Sequence, residues 1–121
     1  GGLVSSFYLS DFMTAGDVCV IRVGGYVDFD VAPHLKRAIV RRIDDGNRLI
    51  VVDLSETGFI DSTAIGVLVG ALKRIREVDG SLAVVSTNEN VRSIFEIVGL
   101  ENVIPLHRSC DDALAVLAQA A

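Results

Sequence analysis

The protein has 121 residues, the size of one ordinary domain, and half of them are apolar, so the chain can bury a substantial core. Its formal net charge of −5 opposes binding to nucleic acid, because contacts to a phosphate backbone depend on clustered Lys and Arg. No apolar run approaches the roughly 20 residues that a membrane helix needs, and two distant cysteines fit a reducing cytosol. Composition therefore predicts a cytoplasmic protein that binds neither nucleic acid nor membrane.

The sequence of the N-terminal segment predicts a short tail followed by two strands. Residues 1–6 resemble a cloning tag or a disordered end, so we expect the domain to occupy residues 7–121. A weak strand is predicted at about Phe7 to Met13. The β-branched run from Val18 to Val23 predicts a second strand, and Gly24-Gly25 after it predicts a turn.

After this turn the apolar residues are spaced as in an amphipathic helix. Apolar residues recur at helical intervals from Ala32 to Ile43, with Asp30 as the expected cap and Pro33 in the first turn. Basic residues lie between the apolar ones here and again in a later helix, where we interpret them as the solvated faces of amphipathic helices. These basic residues are Lys36, Arg37, Arg41, Arg42, Lys73, Arg74 and Arg76.

The second half of the chain alternates strands with helices. The continuous β-branched run from Leu49 to Leu54 predicts a strand that is covered on both faces. A helix is then expected to begin at Asp61 or Ser62 and to end near Asp79-Gly80. The remaining predicted elements are a strand at Leu82–Ser86, a helix at Asn88–Val98, a strand at Val103–Leu106 and a helix at Asp111–Ala118. This order predicts one α/β domain, with a mixed, mostly parallel sheet of about five strands covered by about four helices.

The segment between Asp53 and Leu68 runs from the buried strand through a short polar loop into a helix. Asp61 and Ser62 are both good N-cap residues, so the residue types alone require no more than a capped helix. A hydroxyl at a helix N-terminus can also carry a phosphoryl group, because unpaired N–H groups and the helix dipole favour negative charge there. Ser62 therefore has the capacity to be phosphorylated.

Two glycines in the interior of this helix need an explanation. Gly66 and Gly70 each cost about 1 kcal/mol relative to Ala. On a helical wheel they share a face with Thr63 and Val67, apart from the apolar stripe that begins at Ile65. We therefore expect a smooth surface of small residues beside Ser62, with Val67 exposed on it, that another protein can approach closely.

The same segment resembles a known family. The sequences Asp53-Leu-Ser and Phe59-Ile-Asp-Ser-Thr-Ala-Ile-Gly-Val-Leu68 are similar to the signature of STAS domains, whose soluble bacterial members are anti-sigma factor antagonists. The turn at Gly24-Gly25-Tyr-Val-Asp28 and the segment Val91–Leu100 also resemble their family counterparts, so the similarity extends from about Val18 to Leu117. Ala64 is a departure, since family members commonly have Gly there.

The resemblance implies a phosphorylation-switched anti-sigma factor antagonist. Its unphosphorylated form would bind an anti-sigma factor that is also a serine protein kinase, and would free the sigma factor. Ser62 would be the phosphorylated residue, with Thr63 the less favoured acceptor, and a serine phosphatase is a further candidate partner. The predicted partner-binding residues are Asp28, Asp61, Thr63, Gly66, Val67 and Gly70. Turn formation by Asp28 and capping by Asp61 remain open as their alternative roles.

No catalytic constellation can be assembled from the sequence. His34 and His107 are far apart without metal-ligand spacing around them, and no phosphate-binding glycine loop or Gly-x-Ser-x-Gly elbow is present. We therefore expect no enzyme, no metal and no cofactor. The alternative to a switch is a constitutive STAS scaffold, or a subunit of a larger signalling or transporter assembly.

Overall fold

The computed structural model describes residues 7–120 as a single sheet with helices on both faces. The expected tag or disordered end at residues 1–6 lies outside the described residues. The strands and helices are β1 (Phe7–Met13), β2 (Cys19–Val27), α1 (Ala32–Asp44), β3 (Leu49–Ile60), α2 (Ser62–Arg76), β4 (Ser81–Val85), α3 (Glu89–Ile97), a 3₁₀ turn (Leu100–Asn102), β5 (Leu106–His107) and α4 (Cys110–Ala120). The predicted order of elements is confirmed.

The five strands lie side by side in chain order. β1 pairs antiparallel with β2, and every later pair is parallel. The predicted mixed, mostly parallel sheet with four helices is therefore confirmed. Because the carboxyl ends of parallel strands meet at one edge of the sheet, the loops after β2 and β3 become neighbours.

The core has two unequal parts, one on each face of the sheet. On one face α1, α2 and α3 cover the larger apolar cluster, which includes Ile21, Val52 and Phe95. On the other face α4 covers a smaller cluster that includes Val20 and Val51. Neighbouring residues of β2 and β3 thus point into opposite clusters, which explains their continuous apolar sequences.

Two strands are longer than predicted. The turn predicted at Gly24-Gly25 is wrong, because β2 continues through both glycines to Val27 with two register irregularities. A side chain at Gly24 would collide with the Tyr8 ring on β1, so the glycine lets that ring lie against the sheet. The short polar loop predicted after Leu54 is also wrong, since β3 continues to Ile60.

The last predicted strand is displaced. Val103–Leu106 was expected as a strand, but the backbone first forms a 3₁₀ turn, with the Val103 N–H donating to the Leu100 carbonyl at 3.0 Å. β5 is confined to Leu106–His107. The helix α2 also ends earlier than predicted, at Arg76, and Asp79 adopts a left-handed backbone conformation in the turn that follows.

A buried carboxylate links β2 to β3 on the face that carries α4. Asp53 is 2% exposed and accepts a hydrogen bond from the Arg22 guanidinium at 2.9 Å and another from the Ser55 backbone N–H at 2.9 Å. Burial acts to raise the pKa of Asp53, but the hydrogen bonds from Ser55 and the Arg22 charge outweigh it and hold the pKa below its usual value. The carboxylate is therefore ionised and paired in the native state.

We expect Arg22→Gln to destabilise the protein by about 1–3 kcal/mol at pH 7, because it leaves a buried carboxylate with one partner fewer. The Arg22 side chain is 38% exposed, so solvent screens its charge. The loss of folding stability is therefore smaller than for a fully buried ion pair. A carboxylate whose pKa is lower in the folded than in the unfolded state contributes its full stabilisation at pH values above the unfolded pKa, which is about 3.9 for Asp. That contribution is lost as the pH falls through the folded-state pKa. The stability difference between wild type and Arg22→Gln should therefore shrink as pH falls from about 5 towards 3.

Urea unfolding of both proteins at several pH values measures this difference. The Asp11–Arg42 ion pair titrates in the same acid range, but it is present in both proteins and cancels. A stability difference that is constant with pH would contradict the assigned role of the Arg22–Asp53 pair.

Candidate functional site

The N-terminus of α2 presents Ser62 to solvent. Asp61 is the N-cap residue, in extended conformation, and its Oδ1 accepts a hydrogen bond from the Ala64 backbone N–H at 3.0 Å. Ser62 and Thr63 are both exposed. Of the two caps that the sequence allowed, Asp61 fills the position, which leaves the Ser62 hydroxyl free for other chemistry.

The loop after β2 lies beside this helix start. Val27 and Ile60 are paired across β2 and β3, and the Asp61 backbone N–H donates to the Val27 carbonyl at 3.3 Å. Asp28 directly follows Val27, so the chain brings Asp28 close to the Asp61-Ser62 backbone. The structure therefore places Asp28 next to the helix start that carries Ser62.

The predicted cap of α1 is wrong. Asp30 makes no capping hydrogen bond, and the cap position is occupied by Val31. Asp28 instead holds the turn that leads into α1, because its Oδ1 accepts hydrogen bonds from the N–H groups of Asp30 at 3.0 Å and Val31 at 3.2 Å. Asp28 and Asp61 thus both have structural roles as turn and cap residues.

The small-residue face of α2 forms one wall of a groove. Thr63, Gly66 and Gly70 are exposed, whereas Val67 is half-buried, not exposed as predicted, because it packs partly against the core. The opposite wall comes from α1, and the groove has a volume of about 500 Å³. It is lined by Pro33, Lys36, Ile39, Val40, Thr63, Gly66, Val67, Gly70, Ala71 and Arg74.

The two helical glycines are not required by packing inside the chain. A Cβ atom added at Gly66 or Gly70 would have no atom within 4 Å apart from its chain neighbours and the backbone of its own helix. At Gly80, in contrast, an added Cβ would lie 2.5 Å from the Arg48 carbonyl oxygen and 2.5 Å from Ile75 Cγ1. Gly80 is therefore needed by the fold, while Gly66 and Gly70 keep an outer surface smooth.

We expect Gly66→Ala and Gly70→Ala each to stabilise the protein by about 0.5–1 kcal/mol, because alanine favours the helix and meets no neighbour. Gly80→Ala is the matched control and should destabilise it by about 1–3 kcal/mol. Thermal and urea unfolding of the three variants would measure both effects. Destabilisation by alanine at position 66 or 70 would show that these glycines serve internal packing after all.

Sequence reasoning missed two features of this region. Lys36 on α1 and Arg74 on α2 line the same groove, although the sequence assigned them only to solvated helix faces. Exposed aromatic residues also flank the two loops: Phe29 is 66% exposed, and the Tyr26 and Phe59 rings lie 5.8 Å apart. Aromatic residues within two positions of Asp28 and Asp61 in the sequence were a signal that could have been used.

Nothing in the described part of the chain resembles a metal centre or a membrane helix. Residues 7–120 contain no group of three His, Cys, Asp or Glu side chains that could hold a metal ion. None of the helices described there has the length and apolar character needed to cross a membrane.

Comparison with known proteins identifies the family. The STAS domain model matches residues 11–113. An anti-sigma-B factor antagonist of Staphylococcus aureus (strain NCTC 8325 / PS 47) is 30% identical over 91 residues, which are 75% of this chain and 84% of that protein. A crystal structure of an anti-sigma factor antagonist from Mycobacterium paratuberculosis is 28% identical, with a TM-score of 0.85, and the match covers 93% of this chain and 94% of that chain.

A more distant structure shares the fold. The Bacillus cell fate determinant SpoIIAA in its phosphorylated form is 20% identical, with a TM-score of 0.71, over 90% of this chain and 98% of that chain. The family match, which covers nearly all of the described sheet, agrees with the resemblance carried by the segment from Asp53 to Leu68. The chain belongs to the STAS domain family.

Proposed function

We propose that this protein is an anti-sigma factor antagonist whose binding is switched by phosphorylation of Ser62. In the unphosphorylated form it binds an anti-sigma factor and frees the sigma factor, and phosphate on Ser62 ends the interaction. The observation that carries the proposal is the exposed Ser62 hydroxyl, which lies beside a cap formed by Asp61 and next to a glycine face that internal packing does not require.

The relatives support the general role. The Staphylococcus aureus and Mycobacterium paratuberculosis proteins are named as antagonists of anti-sigma factors. The structurally similar SpoIIAA is described in a phosphorylated form. A cytoplasmic location follows from this proposed role, because sigma factors act on the transcription machinery.

Local structure supports phosphate at Ser62. Asp61 already caps α2, so modification of Ser62 breaks no capping bond, and the helix N-terminus favours negative charge. The phosphate adds a charge of about −1.5 to −2 next to Thr63 and Gly66, which are exposed. The same modification that the fold tolerates therefore changes the charge and shape of the binding face.

The protein is proposed to act by binding and not by catalysis. Phosphate then comes from a serine protein kinase, which is the anti-sigma factor itself or a related protein, and a serine phosphatase removes it. The proposed interface comprises Ser62, Asp28, Asp61 and the exposed face of α2 at Thr63, Gly66, Val67 and Gly70, together with the walls of the groove.

Affinity capture from the source organism tests this function. The wild-type chain should retain a protein that transfers phosphate from ATP to Ser62, as located by mass spectrometry of the bait. Gly70→Arg, with an altered face and an intact fold, is the control bait and should retain much less of the same protein. If both baits capture the same proteins equally and Ser62 stays unmodified, the proposed switch is wrong. The function as a constitutive scaffold would then be favoured.

A further inference from the structure

The strand β1 forms one edge of the sheet and has an unusual composition for an edge. Within residues 7–120 it pairs with β2 on one side and with no strand on the other. Its sequence, Phe-Tyr-Leu-Ser-Asp-Phe-Met, contains neither Lys nor Pro, the residues that usually prevent an edge strand from pairing with another chain. Four of its large side chains are 37–44% exposed, namely Phe7, Tyr8, Phe12 and Met13.

The pattern of β1 is complementary to itself. In an antiparallel pair of two copies with Ser10 opposite Ser10, Tyr8 lies opposite Phe12 and Phe7 lies opposite Met13. Aromatic–aromatic and sulfur–aromatic pairs of this kind stabilise neighbouring strands. All seven residues are paired in this register, whereas a register centred on Asp11 would place two carboxylates directly opposite each other.

Charge supports the same register. Asp11 is held by Arg42 of its own chain, with Oδ1 accepting from the guanidinium at 2.8 Å. Arg37 and Arg41 line a shallow pocket next to Leu9 and Asp11, and neither makes a salt bridge within the described residues. The Asp11 of a second copy would lie opposite Leu9, beside these two guanidinium groups. An acidic residue of one copy thus meets a basic pocket of the other.

We propose that two copies of this chain form a symmetric dimer by antiparallel pairing of β1 with β1 around Ser10, which joins the two sheets into one. The occupant of the free edge is a second copy, because the strand offers complementary side chains and complementary charge to itself. β3, which leads into Ser62, lies two strands away from this edge. The face that carries Ser62 therefore stays open in each copy, and the dimer offers a partner two binding sites.

Charged substitutions at Ser10, the residue on the two-fold axis, test the dimer. The 121-residue chain should sediment as a dimer that dissociates on dilution. Ser10→Lys places two ammonium groups opposite each other and Ser10→Asp two carboxylates, so each variant alone should raise the dimer dissociation constant by about tenfold or more. An equimolar mixture of the two variants should dimerise again, because Lys then lies opposite Asp.

Ser93→Lys, at an exposed serine on α3, is the matched control and should dimerise like the wild type. Circular dichroism of each variant verifies that the fold is intact. A wild-type chain that stays monomeric at every concentration, a Ser10→Lys variant that dimerises as wild type, or a mixture without recovery would each overturn the proposal. These measurements need no partner protein, so they are independent of the switch at Ser62.

Discussion

Phosphorylation of Ser62 should lower the affinity for the anti-sigma factor by about 100-fold to 1000-fold, which corresponds to about 2.7–4 kcal/mol. The phosphate adds nearly two negative charges and bulk to an exposed face made of Thr63, Gly66 and Gly70. Unfavourable desolvation of that charge at a close contact can supply a loss of this size. The fold itself should be unaffected, because Asp61 retains its cap.

Substitutions at Ser62 should give a graded series. Ser62→Ala should bind at or near wild-type affinity and take up no phosphate. Ser62→Glu carries one charge against nearly two for phosphoserine, so it should bind more weakly than wild type and more strongly than the phosphorylated form. Titration calorimetry against the purified partner would measure the order. Thr63→Ala is the matched control and should still be phosphorylated at Ser62; phosphate at Thr63 in the Ser62→Ala protein would contradict the assignment.

Gly70→Arg should weaken partner binding by about tenfold or more while the free energy of unfolding changes by less than about 1 kcal/mol. An arginine here projects into the groove between α1 and α2, and apart from its chain neighbours and the backbone of its own helix no atom lies within 4 Å of its Cβ. The variant should therefore fold normally and obstruct only a partner that approaches this face.

Two further substitutions separate size from charge at this position. Gly70→Gln adds bulk without charge and should also weaken binding, whereas Gly70→Ala should bind nearly as wild type. Surface plasmon resonance on all three variants would give the affinities, and thermal unfolding would verify the fold. Wild-type affinity in both Gly70→Arg and Gly70→Gln would show that the partner binds elsewhere.

Hydrophobic periodicity was sufficient to predict the order of elements and the sheet. The β-branched run at Leu49–Leu54 and the helical spacing of Ala32–Ile43 depend on local sequence, and both elements are present. The glycines at Gly24-Gly25 were misleading, because glycine occurs in turns and also at strand positions that leave no room for a side chain, as at Gly24 against the Tyr8 ring. Local residue types cannot distinguish these two cases.

The candidate site was predictable only in part. Ser62 and the face at Gly66 and Gly70 follow from the family motif and helical spacing, both of which are local. The groove was not predictable, because its second wall comes from α1, and only the packing of two helices places Lys36 across from Arg74. The turn that Asp28 holds before α1 likewise depends on the backbone path of the loop after β2.

Release of a sigma factor is the most direct test of the proposed function. The complex of the captured anti-sigma factor with its sigma factor would be assembled and passed over a gel-filtration column with the unmodified chain, or with the chain phosphorylated at Ser62. We expect the unmodified chain to displace the sigma factor and the phosphorylated chain to leave the complex intact. Equal release by both forms, or release by neither, would contradict the proposal that Ser62 switches an anti-sigma factor antagonist.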